Sequence, residues 1–136
     1  MSGPVIVRSV LAADSTLTSL VPADKMIADE VAGQDTMLPF ILLKHISGTD
    51  RETLTGQDSV HQRKRVQVEI HAGSARSRAE IKSAVRAAAH NNPFPVLAGY
   101  DHITLHTDGE GPDFYVEGTN RRIGEQDLLV TYSETT

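Results

Sequence analysis

The clearest pattern of apolar and polar positions lies in residues 63–90, where a strand pattern runs directly into a helix pattern. From residue 66 to residue 70, valine and isoleucine alternate with polar residues, as in a strand with one apolar face. Between residues 76 and 90, apolar residues recur at helical spacing on one stripe, and basic residues occupy another face. Ser77 and Glu80 have the spacing of a capping box. This pattern predicts a strand and a helix that pack on each other as the nucleus of the fold.

The N-terminal residues predict two consecutive helical pieces with a kink between them. Pro4 suits a first helical turn, because proline's missing N–H has no partner there in any case. Asp14 can cap a second, short helix that ends before Pro22.

The remaining strand patterns are shorter and more varied. Residues 39–46 are apolar on both parities, which is typical of a central strand covered on both faces. Other predicted strands lie at residues 25–28, 102–107, 114–117 and 124–133, and residues 108–113 are predicted to form a hairpin turn. We therefore predict an α+β fold, with a mainly antiparallel sheet of about four to five strands packed against helices, in a single domain of residues 1–136.

A polar, turn-rich stretch at residues 47–62 is predicted to be a long flexible loop. Loops of this length are often functional. It is either a mobile hairpin tip between antiparallel strands or an arm that reaches a neighbouring molecule, and the basic cluster of residues 63–65 lies at its end.

Composition narrows the classes of function. Thirteen Lys and Arg against eighteen Asp and Glu give a net charge of −5, which argues against a duplex-DNA binder. The chain has three Phe, three Tyr and no Trp, too few aromatics for a typical single-strand binder. Cysteine is absent, which excludes disulfides and thiolate chemistry. No apolar run is long enough for a membrane span and no signal-peptide pattern occurs, so we expect a soluble protein made in the cytoplasm.

The six histidines give little support for a metal site. His102 and His106 are four residues apart, which on a strand is about 13 Å and too far to share one ion. His45 and His71 lie on strands that could be adjacent, but no third ligand accompanies them. Residues 108–113 contain three carboxylates but lack the residue order of a calcium loop.

No catalytic or cofactor motif occurs in the sequence. It has no nucleophile elbow, no Ser-x-x-Lys motif and no glycine-rich phosphate loop that opens a helix. We therefore expect no enzyme, no cofactor and no catalytic or metal-binding residue.

Taken whole, the chain resembles the tail-completion or tail-terminator proteins of tailed bacteriophages and related prophages. The resemblance is carried by VLAADSTLTSLV near the N-terminus, LPFILLKHISG in the middle, RVQVEIHAGSARSRAEIKSAVRAA, and the late strand DLLVTYSE. It extends from about residue 5 to residue 134 and rests on the order and spacing of elements.

This resemblance implies a virion structural protein without enzymatic activity that forms a homohexameric ring at the head-proximal end of a tail tube. Such a ring ends tube polymerisation and forms the head–tail joining surface. The implied partners are other copies of the chain, the tail tube protein and a connector or neck protein, and DNA passes through without specific binding. The implied location is the host cytoplasm during assembly, and then the virion.

Ring symmetry requires two different patches that fit each other, so complementary charges are expected on opposite flanks. The predicted interface residues come from the polar stretch, from both ends of the nucleus and from the acidic turn. They are Arg51, Glu52, Leu54, Arg63, Lys64, Arg65, Arg76, Arg78, Asp108, Glu110 and Asp113.

Two alternatives remain open at this point. One is another phage neck or head-completion protein, which has the same size and a related assembly role. The other is a small-molecule-binding or enzymatic α+β domain, for which the polar face of residues 102–106 is the one hint.

Overall fold

The computed structural model describes residues 2–28, 38–52, 60–116 and 121–134. Two helices lie at the start of the first of these ranges. Helix α1 is Ser2–Ala12 and helix α2 is Ser15–Leu20. The Asp14 carboxylate accepts a hydrogen bond from the Leu17 backbone N–H at 2.9 Å, so it caps α2 as predicted. The two helical pieces at the N-terminus are confirmed.

The sheet contains six strands in the order β1-β2-β3-β6-β4, with β5 also paired to β6. All pairings are antiparallel except that of β1 with β2. The strands are β1 Met26–Ala28, β2 Phe40–Glu52, β3 Val60–Ala72, β4 Tyr100–Glu110, β5 Phe114–Tyr115 and β6 Arg122–Glu134. The predicted α+β fold with a mainly antiparallel sheet is confirmed, with slightly more strands than expected.

Helix α3, Ala75–Asn91, follows β3 after a short turn, as the sequence pattern predicted. Its N-cap is Ser74, whose hydroxyl accepts from the Ser77 backbone N–H at 3.1 Å. The predicted capping box at Ser77 is therefore wrong by one turn, and Glu80 pairs with Arg76 at 3.1 Å instead.

The main core lies between the helices and one face of the sheet. The apolar stripe of α3 is buried against β3, β4 and β6, and α1 packs on β1, β2 and β3. Tyr132 of β6 is fully buried and meets the Tyr100 ring edge-to-face, with 5.5 Å between ring centroids. Other large buried side chains of this core are Ile6, Leu11, Leu17, Ile41, Leu43, Ile70, Ile81, Leu105 and Leu128.

Strand β2 is apolar on both parities because each of its faces is buried near its start. Ile41 and Leu43 belong to the core beneath the helices, whereas Phe40 and Leu42 are buried on the opposite face. The strand is not central, because β3 occupies that position. Strand β1 pairs with β2 only at residues 41–43.

The long loop predicted over residues 47–62 is wrong in its bounds. Strand β2 continues to Glu52, strand β3 begins at Val60, and the two pair in register up to Glu52 and Val60. Of the predicted loop, residues 53–59 lie outside the described residues.

Residues 108–113 do not form the predicted hairpin turn. Strands β4 and β5 both pair with β6 along the same edge, and the residues between them bulge outward. Gly109 has φ 100°, which glycine adopts without strain, and its carbonyl accepts from the buried Gln126 side chain at 2.7 Å. The Gly111 backbone N–H donates to the Glu125 carbonyl at 3.0 Å, which keeps the edge attached.

Candidate functional site

Three of the predicted interface residues, Arg78, Glu110 and Asp113, lie together beside the first half of α3. The Lys82 ammonium contacts the Glu110 carboxylate at 3.0 Å and the Asp113 carboxylate at 3.2 Å. Arg78 is 3.9 Å from Asp113 and donates a hydrogen bond to the Phe114 carbonyl at 3.4 Å. These contacts attach the β4–β5 bulge to the helix.

A second group of predicted residues meets on the sheet face opposite the helices. The Arg65 guanidinium contacts the Asp108 carboxylate at 2.5 Å and the Asp127 carboxylate at 3.3 Å. Both contacts are partly exposed, so each contributes little to stability. The structure thus places Arg65 and Asp108 side by side within one chain. Their contact with a neighbouring subunit stays a prediction.

The other predicted interface residues are spread over the molecule. Arg63 is exposed on β3, and Lys64 lies beside Gly3 at the start of α1. Arg76 pairs with Glu80 at the exposed start of α3. The backbones of Arg51 and Glu52 belong to β2, and Leu54 lies outside the described residues.

The face of the sheet opposite the helices contains a buried polar cluster that the sequence did not indicate. The Glu69 carboxylate accepts from His71 Nε2 at 2.6 Å and from the Lys44 ammonium at 2.9 Å. The His71 ring stacks on Phe40 with 4.3 Å between centroids and 12° between planes, and the Arg121 guanidinium lies over Phe40 at 5.5 Å. This arrangement fixes the ends of β2 and β3 against each other.

Acid should weaken the fold through Glu69. The hydrogen bond from His71, together with Lys44, lowers the pKa of the Glu69 carboxyl from its ordinary 4.5 to about 2, although burial acts in the opposite direction. A carboxyl whose pKa is lower in the folded than in the unfolded state stabilises the fold at any pH above its unfolded-state pKa. This contribution is lost as the pH drops through the folded-state pKa. We expect the free energy of unfolding to fall more steeply between about pH 5 and about pH 2 in the unmodified protein than in Glu69→Gln. Urea titrations across this range measure both slopes, and equal slopes would contradict the assignment.

The pKa of Glu125 is shifted in the opposite direction from that of Glu69. Burial, followed by the nearby carboxylates of Glu69 and Asp127, raises the pKa of Glu125. Folding therefore disfavours its charged form, so Glu125→Gln should stabilise the protein at pH 7 by up to about 0.5 kcal/mol. The gain should disappear in acid, where Glu125 is protonated. Urea denaturation at both pH values tests this, and a less stable variant at pH 7 would show that the hydrogen bond from Gln67 at 3.1 Å matters more than the charge.

A groove of about 500 Å³ runs between the solvent-facing side of α3 and the β4–β5 edge. Four basic residues spaced four apart line it from one end to the other: Arg78, Lys82, Arg86 and His90. The first two face Glu110 and Asp113, as described above. Within the described residues, Arg86 and His90 have no carboxylate partner. The groove therefore has paired charges at one end, and at the other the Arg86 guanidinium, without a carboxylate partner in the described part of the chain, beside the His90 ring.

Exposed apolar side chains lie beyond both ends of this groove. Phe94 is 72% exposed and Val96 is 95% exposed in the segment that follows α3. At the other end, Phe114 is 41% exposed and Tyr115 is 49% exposed. Sequence patterns missed these four residues, although a phenylalanine between two prolines in a connection was the one available signal.

The described histidine side chains of β2, β3 and β4 lie apart from one another. His45 pairs in register with Val66 and His71 with Phe40, so the two are several residues apart along adjacent strands. His102 and His106 are exposed on β4. Across the described ranges, no group of three or more metal-binding side chains comes together. In the same ranges, no helix has both the length and the apolar character needed to cross a bilayer.

Comparison with known proteins identifies the family. The family model described as "Tail completion protein gp17" matches residues 6–124. Among solved structures, a chain of the "Virion of native gene transfer agent (GTA) particle" superposes with a TM-score of 0.73 at 16% identity, covering 96% of this chain and 93% of that chain. No curated protein matches the sequence. The match at low identity shows a shared fold, and the family model covers most of the chain. The chain therefore belongs to the tail completion protein gp17 family, and its role is structural, in the completion of a phage tail.

Proposed function

We propose that copies of this chain form a closed ring, of six subunits by the family resemblance, on the head-proximal end of the tail tube. The ring ends polymerisation of the tube and presents the surface to which the head's connector or neck protein joins. It acts without catalysis, assembles in the host cytoplasm and stays in the virion. The observation that carries this proposal is the family match over residues 6–124.

Two features of the described structure support an assembly role. Apolar side chains that a monomer would expose to water lie at both ends of one flank, next to charged residues. Four of the predicted charged residues, Arg65, Asp108, Glu110 and Asp113, form ion pairs within the chain, so they present a defined pattern to a partner. A net charge of −5 also suits a ring through which DNA slides without being retained.

A tube-length assay tests the proposal. Purified tail tube protein, allowed to polymerise with and without this protein, is imaged by electron microscopy. We expect shorter tubes that carry a ring at one end when the protein is present, and tubes of unchanged length and bare ends would contradict tube termination. Bovine serum albumin at equal concentration controls for crowding.

A further inference from the structure

The two exposed apolar patches differ in chemistry and lie at opposite ends of one flank. We name Phe94 and Val96 the proline patch, since Pro93 and Pro95 flank Phe94, and Phe114 and Tyr115 the aromatic patch. Both border the flank formed by α3 and the edge of the sheet.

Backbone contacts fix the distance between the patches. The Leu105 backbone N–H donates to the Pro93 carbonyl at 2.9 Å, and Leu105 pairs with Val130 of β6. Phe114 pairs with Ile123 of the same strand. Seven residues of β6 therefore separate the two anchor points, which corresponds to about 24 Å. Side chains of one subunit cannot bring the two patches into contact.

Each patch has features that suit it to the other. Prolines hold a segment extended and leave little conformational entropy to lose, and such segments bind aromatic surfaces. In the aromatic patch, the Tyr115 ring is held by the Arg122 guanidinium at 4.6 Å from its centroid.

Charges beside the patches have opposite signs. Arg86 and His90 lie in the groove near the proline patch and have no carboxylate partner within the described residues. Beside the aromatic patch, the carboxylates of Glu110 and Asp113 are 55% and 44% exposed, and the nearest ammonium is that of Lys82, which they share. Joining the two ends would bring the Arg86 guanidinium, with the His90 ring as a hydrogen-bond donor beside it, to carboxylates that are still open to solvent.

We infer that the proline patch of one subunit docks on the aromatic patch of a second copy, with Arg86 and His90 approaching Glu110 and Asp113 of that copy. This inference rests on the proposed ring and names the surfaces that close it. Because the two patches differ, the contact is head-to-tail, and repeating it with a closing rotation produces a ring.

Paired variants test the inference by native mass spectrometry. The first variant carries Phe94→Ser and Val96→Ser, and the second carries Phe114→Ser and Tyr115→Ser. All four side chains are exposed, so circular dichroism and urea denaturation should show both variants folded. We expect each variant alone to lose the ring, with at least about tenfold weaker association. Ile46→Ser, which removes a single apolar side chain that is 48% exposed on β2, should keep the ring.

A mixture of the two variants gives the sharpest result. Each pair of unlike subunits retains one intact contact, so we expect heterodimers of the two masses and nothing larger. Dimers formed by either variant alone would indicate a two-fold contact and overturn the head-to-tail inference.

Covalent trapping provides a second measurement, because the native chain has no cysteine. A double variant with Val96→Cys and Tyr115→Cys should give a ladder of covalent oligomers on a denaturing gel after treatment with a short bismaleimide, whereas each single variant should give uncrosslinked subunits. If the unmodified protein forms rings but the serine variants do so equally well, the inference is wrong and the proposed function stands. If the serine variants form rings but no longer bind tail tubes, the occupant of the patch is the tube protein, which also overturns the inference. If the unmodified protein forms no oligomer at any concentration or on tail tubes, the inference and the ring both fail.

Discussion

Replacing Ile81 with alanine is expected to lower the free energy of unfolding by about 3 kcal/mol. Ile81 is 1% exposed and lies on the α3 stripe that packs on the sheet, so the change removes buried methylene groups and leaves a cavity. Since α3 carries Arg86 and His90 and ends beside the proline patch, the same packing positions the proposed assembly surface. Urea denaturation at pH 7 measures the loss.

Ser83→Ala is the matched control, because Ser83 lies on the exposed side of the same helix. Its effect should stay within about 0.5 kcal/mol. A loss below about 1 kcal/mol for Ile81→Ala would mean that α3 is not held to the sheet as described.

Replacing Glu69 with alanine is expected to lower the free energy of unfolding by a similar amount, about 3 kcal/mol at pH 7. The change removes the acceptor of two hydrogen bonds and leaves the buried His71 ring and the Lys44 ammonium without it. Removing one partner of a buried polar pair is more harmful than removing the pair, because the remaining group is desolvated without compensation.

The ion pair of Glu80 with Arg76 is the control for this second change. Its side chains are 51% and 90% exposed, so Glu80→Ala should lose no more than about 0.5 kcal/mol. Thermal or urea unfolding of the two variants side by side gives the comparison. Equal losses would show that the cluster around Glu69 is no more than a surface contact.

The spacing of apolar residues was sufficient to predict a helix or strand wherever one face of that element is buried. The stripe of α3, the alternation at Val66, Val68 and Ile70, and the last strand each have one side against the core and one toward the opposite face. The prediction that Asp14 caps α2 was correct, because a carboxylate just before a helix accepts a hydrogen bond from a free backbone N–H of the first turn. Local chemistry and burial agree in these elements.

Prediction failed where the local signal has two structural meanings. Residues 47–52 have no alternation of apolar residues, so nothing in the side chains indicated that backbone pairing with β3 continues there. Gly109 and Gly111 allow either a reverse turn or a bulge, and the pairing of both β4 and β5 with β6 decides for the bulge. Ser74 and Ser77 can each cap a helix, and the turn after β3 selects the earlier one.

Only part of the candidate surface could be predicted from the sequence. Residue type identified Arg78, Glu110 and Asp113 as charged candidates, but their pairing within one chain depends on the fold. In the sequence, Phe94 and Val96 resemble core residues, because the type of an apolar residue does not show whether its side chain is buried or exposed. Only the position of their segment beyond α3 shows that they face solvent.

Locating the chain in an assembled particle tests whether it forms a closed ring that ends the tail tube. Cryo-electron microscopy of the virion, or of isolated tails, would resolve the six-stranded sheet with α3 on one face. We predict a closed ring of copies at the end of the tube nearest the head, with neighbouring subunits in head-to-tail contact. Density for this fold in the capsid or at the far end of the tail, or as a single copy without a ring, would contradict it.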